Sequence, residues 1–294
     1  VKMYSDKLSV LLGIAERFPE SPLTQTHYDL ASSAQYILEE VVIKQLRHLQ
    51  TLSPSKNLCL AGGVALNCVA NAAIRRSGLY ENIFIPPAAG DSGGAIGAAF
   101  LAAQELCDEK NIQLIPKGIE HCFWGPRVAN DEIASTLNQL GIRYKNLPRE
   151  ECNRKIAANL SDGYVFGIFR GASEFGARAL GARSIIADPR NPQTQDRVNL
   201  VIKQREKFRP FAPVVINEYK HAYFDCDFDS PYMTEVCPVK KNAYLPAITH
   251  IDGTARIQTV SINDRNHPFV ELLKEFYNLT NCPVLLNTSF NLRG

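Results

Sequence analysis

The stretch from Asn57 to Ala99, NLCLAGGVALNCVANAAIRRSGLYENIFIPPAAGDSGGAIGAA, uses one structural device twice. A short apolar run, Leu58-Cys59-Leu60, meets the glycine pair Gly62-Gly63. A helical stretch over 65–76 follows, with Asn67 and Asn71 four residues apart and so on one face. A second run, Ile83-Phe84-Ile85, meets two prolines, then the turn Ala88-Ala89-Gly90-Asp91-Ser92-Gly93-Gly94, then a small-residue helix over 95–103. Strand, glycine turn, helix is the order by which α/β proteins bring backbone N–H groups and the positive end of a helix against an anion. Glycine is needed where backbone approaches a ligand closely or takes positive φ. Gly62, Gly63, Asn67, Gly90, Gly93 and Gly94 are therefore candidate nucleotide- or substrate-binding positions. Asp91, a carboxylate inside the second turn, is the candidate ligand for a metal or a sugar hydroxyl. A glycine pair after a strand is also ordinary punctuation for a chain reversal. Two in one stretch, the second holding an acid, favour a ligand.

The remaining chain has room for a second ordinary domain within its 294 residues, and its 45% hydrophobic and 21% charged content is globular. A net charge of +2 supplies no strong field for nucleic acid or an anionic membrane. The eight cysteines are scattered and none forms a CxxC pair, which argues against a structural zinc site. Cys59 and Cys282 sit in apolar runs as buried free thiols do, and the usage as a whole reads as a reducing, cytoplasmic compartment. No apolar run approaches a membrane span, and no signal-peptide pattern opens the chain. The chain stops straight after the polar run Asn287-Thr288-Ser289-Phe290-Asn291, and the expectation is a piece of a longer protein.

Taken in order, residues 1–52 read as two helices, over 6–18 and 29–50, broken at Pro19–Pro22. His27 and His48 read as solvated or capping residues, because neither has a histidine partner one turn away. Residues 111–118 read as a linker, and short helices without evident chemistry are expected over 131–140 and 150–159.

A second informative block starts with a strand over 164–169. It runs into RGASEFGARALGARSI, residues 170–185, with Glu174 among glycines and arginines. The guanidinium fork suits phosphate and carboxylate oxygens, so Arg170, Gly171, Arg178 and Arg183 are candidates for anion binding. The plain alternative is a surface cluster paired to Glu174 and Asp188. A short helix over 196–203 precedes Lys203-Gln204-Arg205-Glu206-Lys207-Phe208-Arg209, whose Phe208 and Phe211 would aim Lys203, Arg205 and Arg209 at one place. Residues 217–248 are irregular, and the acids at 225, 227 and 229 lack an EF-hand's glycine and closing glutamate, so a mobile lid or an ordinary loop is expected. A strand over 254–259 would put Thr254, Arg256 and Gln258 on one face, after His250 and the turn acid Asp252. A helix over 268–277 and a strand over 283–286 lead to Asn287, Thr288, Ser289 and Asn291, amides and hydroxyls placed as a phosphate or nucleotide requires.

Five segments in this order, GGVALN, PAAGDSGGAIGAA, FGARALGARS with KQREKFRPFAP, HIDGTARIQTV, and LLNTSFNLRG, resemble the NodU/CmcH-type O-carbamoyltransferase family over nearly the whole chain. The resemblance implies an α/β protein: over 1–117, the C-terminal part of a Kae1-like domain of the actin/Hsp70 (ASKHA) class, and over 118–294, a YrdC-like domain with a twisted open sheet. It implies that the second domain makes carbamoyl-adenylate from carbamoyl phosphate and ATP, and that the first transfers the carbamoyl group to a hydroxyl, usually of a sugar. Arg178, Arg183, Lys203, Arg205, Arg209 and Arg256 would clamp the anions and stabilise charge in transfer. Arg170, Gly171, His250, Asp252, Thr254, Gln258, Asn287, Thr288, Ser289 and Asn291 would line the site, although His250 and Asp252 also read as turn formers.

The family's metal, iron, zinc or magnesium, is held by histidines from an amino-terminal half and by the aspartate that Asp91 matches. Those histidines have no counterpart here, so a metal is expected only in the full-length protein, and this chain is expected to lack the transfer step. No nucleic acid or membrane partner is expected, and a homodimer stays open. Two other readings remain: threonylcarbamoyl-adenylate or hydrogenase-maturation chemistry, against which the near-neutral charge weighs for a tRNA substrate, and a non-catalytic nucleotide- or sugar-binding module.

Overall fold

The computed structural model describes residues 5–18, 21–115 and 118–292. Part of the expected break at Pro19–Pro22 and part of the expected linker, with the domain boundary after Lys117, lie outside the described residues. The chain folds as a mixed α/β structure with a small parallel sheet near its start and a larger mixed sheet in its second half.

The first part holds α1 (Asp6–Leu12), α2 (Gln25–Leu52), β1 (Asn57–Cys59), α3 (Cys68–Arg76), β2 (Asn82–Phe84) and α4 (Gly94–Glu109). Helix α1 ends earlier than the pattern implied, because Gly13 takes a left-handed φ of 64° and closes the turn. Helix α2 opens on a reciprocal cap between Thr24 and His27, whose Nδ1 accepts the Thr24 N–H at 3.0 Å. Strands β1 and β2 pair in parallel, Leu58 beside Ile83. Leu46 of α2, Leu58 of β1, Ile74 of α3 and Tyr80 form one buried cluster over them. Cys59 is exposed, against the expectation of a buried thiol, because its side of the strand carries no covering element; Cys282 is buried.

The second part holds α5 (Asn130–Gln139), α6 (Arg149–Ser161), β3 (Phe166–Phe169), β4 (Arg183–Ala187), α7 (Gln193–Arg197), β5 (Ala212–Ile216), α8 (Lys220–Tyr223), β6 (Cys237–Pro238), β7 (Thr254–Ala255), β8 (Gln258–Val260), α9 (Val270–Thr280) and β9 (Val284–Ser289). Its sheet runs β3-β4-β9-β5-β8, antiparallel except for the β5–β8 pair. Helix α9 buries Val270, Leu272, Leu273 and Phe276, while α6 buries Ala157 and Leu160 in the same core. Full burial of each large side chain contributes about 1.5–3 kcal/mol.

Two expectations change here. The strand over 254–259 is two strands: β7 leaves to pair with β6, while β8 pairs in parallel with β5. The alternation holds only as far as Ile257; beyond it Gln258, Thr259 and Val260 are all buried, Gln258 fully. The segment 217–248 is packed rather than lid-like. Phe224, Cys226, Tyr232, Met233, Val236 and Cys237 are buried, and Asn71 of α3 donates to Thr234 O at 2.8 Å.

Candidate functional site

The two glycine turns touch each other. Gly62, at φ 100°, donates its N–H to Ala89 O at 2.7 Å. A Cβ on Gly93 would stand 2.2 Å from Ala88 O, so only glycine fits there. Asn67 lies just outside α3 and caps it, accepting from Val69 N and Ala70 N. Its side chain is therefore committed to the helix end. Asn71 is buried on α3, with its Oδ1 unpartnered.

The loop 174–183 presses onto the second turn. Gly176, at φ 142°, is so close to Pro87 that a Cβ would lie 2.4 Å from the Pro87 carbonyl oxygen. Arg178 donates from Nη2 to Leu66 O at 3.0 Å, beside the first turn. Three further groups hold the loop. The Glu174 carboxylate accepts from Leu180 N, Ala182 N and Arg183 N. Asn287 Nδ2 donates to Ala179 O at 2.9 Å, and Gln258 Nε2 donates to Leu180 O at 2.9 Å. Burial and the nearby Arg256 charge push the Arg178 guanidinium down to about 10. Among the described residues neither arginine is ion-paired, and Arg256 Nε is buried with no hydrogen-bond partner. Arg178 and Arg256 are thus two neighbouring guanidinium groups without an ion-pair partner among the described residues, one with an orphan donor.

A second cationic position lies on the same sheet. Lys203 is 1% exposed, and its Nζ donates to Ser289 O, to Ser289 Oγ at 3.1 Å and to Asn291 Oδ1 at 2.6 Å. No carboxylate is ion-paired with it among the described residues, and burial, then the Arg205 charge, push its ammonium down to about 8. A single π-helical turn, Val198–Ile202, delivers Lys203, whose N–H reaches back to Val198 O at 2.8 Å. Gln204 then takes a left-handed φ of 49°. A widened turn followed by a non-glycine residue at positive φ is the local strain found at functional positions. Asn287 and Ser289 are two apart on β9, hence on one face, which puts loop 174–183 and the Lys203 ammonium on the same side of the strand.

The other sequence-predicted residues divide. Arg205 donates from Nε to Asn199 Oδ1 at 2.7 Å and lies over Phe211, one residue from Lys203's strained neighbour. Arg209 is ion-paired with Glu206 at 2.8 Å, and Lys207 with Asp196 at 3.1 Å, so this part of the basic run is a solvated face. Phe211 is buried, whereas Phe208 is 58% exposed and fixes nothing. Arg183 stacks 3.6 Å over Phe169 and donates to Arg170 O and Gly171 O. Arg170 donates to Asn153 Oδ1 and Pro268 O. His250, Asp252 and Thr254 bond one another: Asp252 Oδ1 accepts from Thr254 N and Oγ1, and His250 Nδ1 lies 3.2 Å from Thr254 Oγ1. They form the turn that leads β7 to Arg256. Gly63, Gly90, Gly94 and Thr288 shape backbone without a side-chain contact to the cations.

Asp91 is exposed in a single 3₁₀ turn, Asp91–Gly93. Among the described residues no group of three His, Cys, Asp or Glu side chains is placed to hold a metal. One exposed carboxylate does not by itself fit a divalent ion.

Sequence reasoning missed Asn199. It is fully buried, its Oδ1 accepts from Arg205, and its Nδ2 donates to Lys207 O and Arg209 O. One amide thus sets the backbone of the basic run. The signal was an asparagine in an apolar helical stretch, where a polar side chain needs a partner.

Residues 2–100 match the family model described as the carbamoyltransferase N-terminus, and residues 157–294 match the carbamoyltransferase C-terminus. An uncharacterized Synechocystis protein is 43% identical over 99% of this chain and 51% of its own length. The nodulation protein NolNO of Sinorhizobium fredii is 41% identical over 99% of this chain and 43% of its own. The nodulation protein NolO of Bradyrhizobium diazoefficiens is 39% identical over 96% and 52%. The chain spans about half the length of the curated relatives it matches. No helix among the described residues is long and apolar enough to cross a membrane.

Proposed function

Because the chain belongs to the carbamoyltransferase family, we propose that it carries the anion-handling part of an O-carbamoyl transfer. Residues 1–117 are read as the C-terminal part of a Kae1-like domain and residues 118–294 as a YrdC-like domain. The substrates are carbamoyl phosphate and ATP, and the product of the first step is carbamoyl-adenylate. An adenylate needs an oxygen nucleophile at the α-phosphorus, so carbamoyl phosphate first gives up inorganic phosphate to water. The carbamate oxygen then attacks ATP, and pyrophosphate leaves. In the whole protein, an acceptor hydroxyl attacks the carbamoyl carbon, its proton passes to solvent, and AMP leaves.

The observation that carries this reading is the set of unneutralised cations on one face of β9. Lys203 is gathered with Ser289 and Asn291, and Arg178 stands with Arg256. Arg205 would hold phosphate oxygens, and the buried Lys203 charge behind Ser289 and Asn291 would stabilise charge on the departing pyrophosphate. The loop held by Glu174, Asn287 and Gln258 would present Arg178 to the carbamoyl end. Among the described residues Asp91 has no further metal-ligating side chains grouped with it, so this reading uses no metal. The test is pyrophosphate release with ATP and carbamoyl phosphate together. Release that needs both substrates, and that Lys203→Met abolishes, supports the reading. Binding of ATP without any release would make the chain a nucleotide-binding module instead.

A further inference from the structure

Away from these cations, the segment 224–239 forms a strap across the second part. Phe224 and Val239 pair across an antiparallel bridge. Asp225 N donates to Pro238 O at 2.9 Å and Lys240 N to Tyr223 O at 2.8 Å, and these bonds flank the pair. Phe224–Val239 is therefore a non-hydrogen-bonded pair, the kind whose Cα atoms stand about 4.5 Å apart. Continued for two residues along each strand, that register sets Cys226 opposite Cys237, and Cα atoms at the spacing of such a pair lie inside the roughly 4.4–6.8 Å range that a disulfide spans. Each thiol is the largest single influence on the other's titration, and Cys226 Sγ donates to Phe228 O at 3.1 Å. Both are reduced and less than 5% exposed, at 4% and 2%.

The strap has ends that matter. Cys237 pairs with Ala255 of β7, the residue before Arg256. On its other side, Glu235 holds Arg75 of α3, Val236 N donates to Cys68 O, and Phe228 lies 4.1 Å under the Arg75 guanidinium. The strap therefore ties α3 to the strand that presents Arg256.

We propose that Cys226 and Cys237 are a redox modification site that closes into a disulfide without moving the backbone, stiffening this strap. The proposal is independent of the carbamoyl reading. The oxidant is a small disulfide such as oxidised glutathione. When the strap opens locally, the Cys226 thiolate attacks one of its sulfurs and releases one thiol. Cys237 then attacks the mixed disulfide and releases the second thiol, so two protons and two electrons leave the protein pair and reduce one disulfide to two thiols. The neighbouring Cys237 thiol, and after it the Lys220 charge, favour Cys226 as the attacking sulfur, holding its thiol below the usual value despite burial.

Trypsin cuts after Lys220 and Lys240 and leaves both cysteines in one peptide, His221–Lys240. The folded chain is incubated with oxidised glutathione, denatured, alkylated and digested. The expected peptide is two hydrogens lighter and carries no alkyl group, and the amides of Ala255 and Arg256 exchange more slowly than in the reduced chain. The thermal midpoint is expected to rise by about 5 °C, the effect of closing a loop of roughly a dozen residues. Cys226→Ser, itself reduced, is expected to show no such rise. A doubly alkylated peptide after oxidation overturns the proposal. So does a stable glutathione adduct on either sulfur, or a bridge to any other cysteine. Unchanged exchange at Ala255 and Arg256 in the oxidised chain overturns the stiffening.

Discussion

Arg75 and Glu235 meet in a two-pronged ion pair, Nε to Oε2 at 2.6 Å and Nη2 to Oε1 at 2.7 Å. The carboxylate side chain is 4% exposed and the arginine 24%. Removing one partner leaves a buried charge alone. Arg75→Ala is expected to lower stability by about 3–5 kcal/mol, and a double replacement by apolar residues by clearly less. Urea denaturation of the three proteins measures this. A single variant within about 1 kcal/mol of the parent would mean that the pair holds nothing together.

Lys203 carries a pH signature. Its ammonium is pushed from the ordinary 10.5 to about 8 by burial. Anion binding that uses its charge should weaken as pH rises through about 8, and calorimetry with carbamoyl phosphate across pH 7–9 should record it. The stability effect has the opposite sense. Between about 8 and 10.5 the unfolded chain binds more protons than the folded one, so stability rises with pH over that window. Lys203→Met should flatten both profiles, because no charge is left to bind or to bury.

Gly176 and Gly171 separate contact from conformation. Both have positive φ, 142° and 56°, but a Cβ at 176 meets Pro87 O at 2.4 Å while one at 171 meets nothing within 4 Å. Gly171→Ala should cost about 1 kcal/mol. Gly176→Ala should cost several times more and displace Arg178. Thermal melts of the two variants compare them directly, and equal losses would remove the close approach from the account.

His267 should make the fold acid-sensitive. Burial pushes its imidazole from 6.5 to about 4, where it packs edge-on to Phe123 and accepts from Phe269 N. The unfolded chain binds the extra proton between those two values. Stability is therefore complete above about 6.5 and falls as pH drops toward 4. His267→Gln should shrink the slope of stability against pH in that interval. An unaltered slope would place the sensitivity on other groups.

The strand–glycine–helix repeat was legible because glycine and apolar runs are local signals: β1, β2, α3 and α4 lie close to where the pattern put them. Strands β4 and β5 were hidden. Arg183–Ala187 begins inside an arginine-rich run, and Ala212–Ile216 follows a proline-rich one, so their pairing with β9 rests on contacts that no local period encodes. The same limit applies to the cations. Lys203, Ser289 and Asn291 were each singled out, but that they meet is a property of the sheet. Arg209 looked identical to Arg205 in the run and differs only in facing Glu206.

The π-helical turn over 198–202 puts the placement of the Lys203 charge under the control of residue number rather than residue type. Apolar replacements along the turn would leave the ammonium at the end of β9. Adding one residue without further widening of the turn would swing it by about 100°, out of reach of Ser289 and Asn291. Chains of this kind should therefore tolerate changes of letter in that segment far better than changes of length.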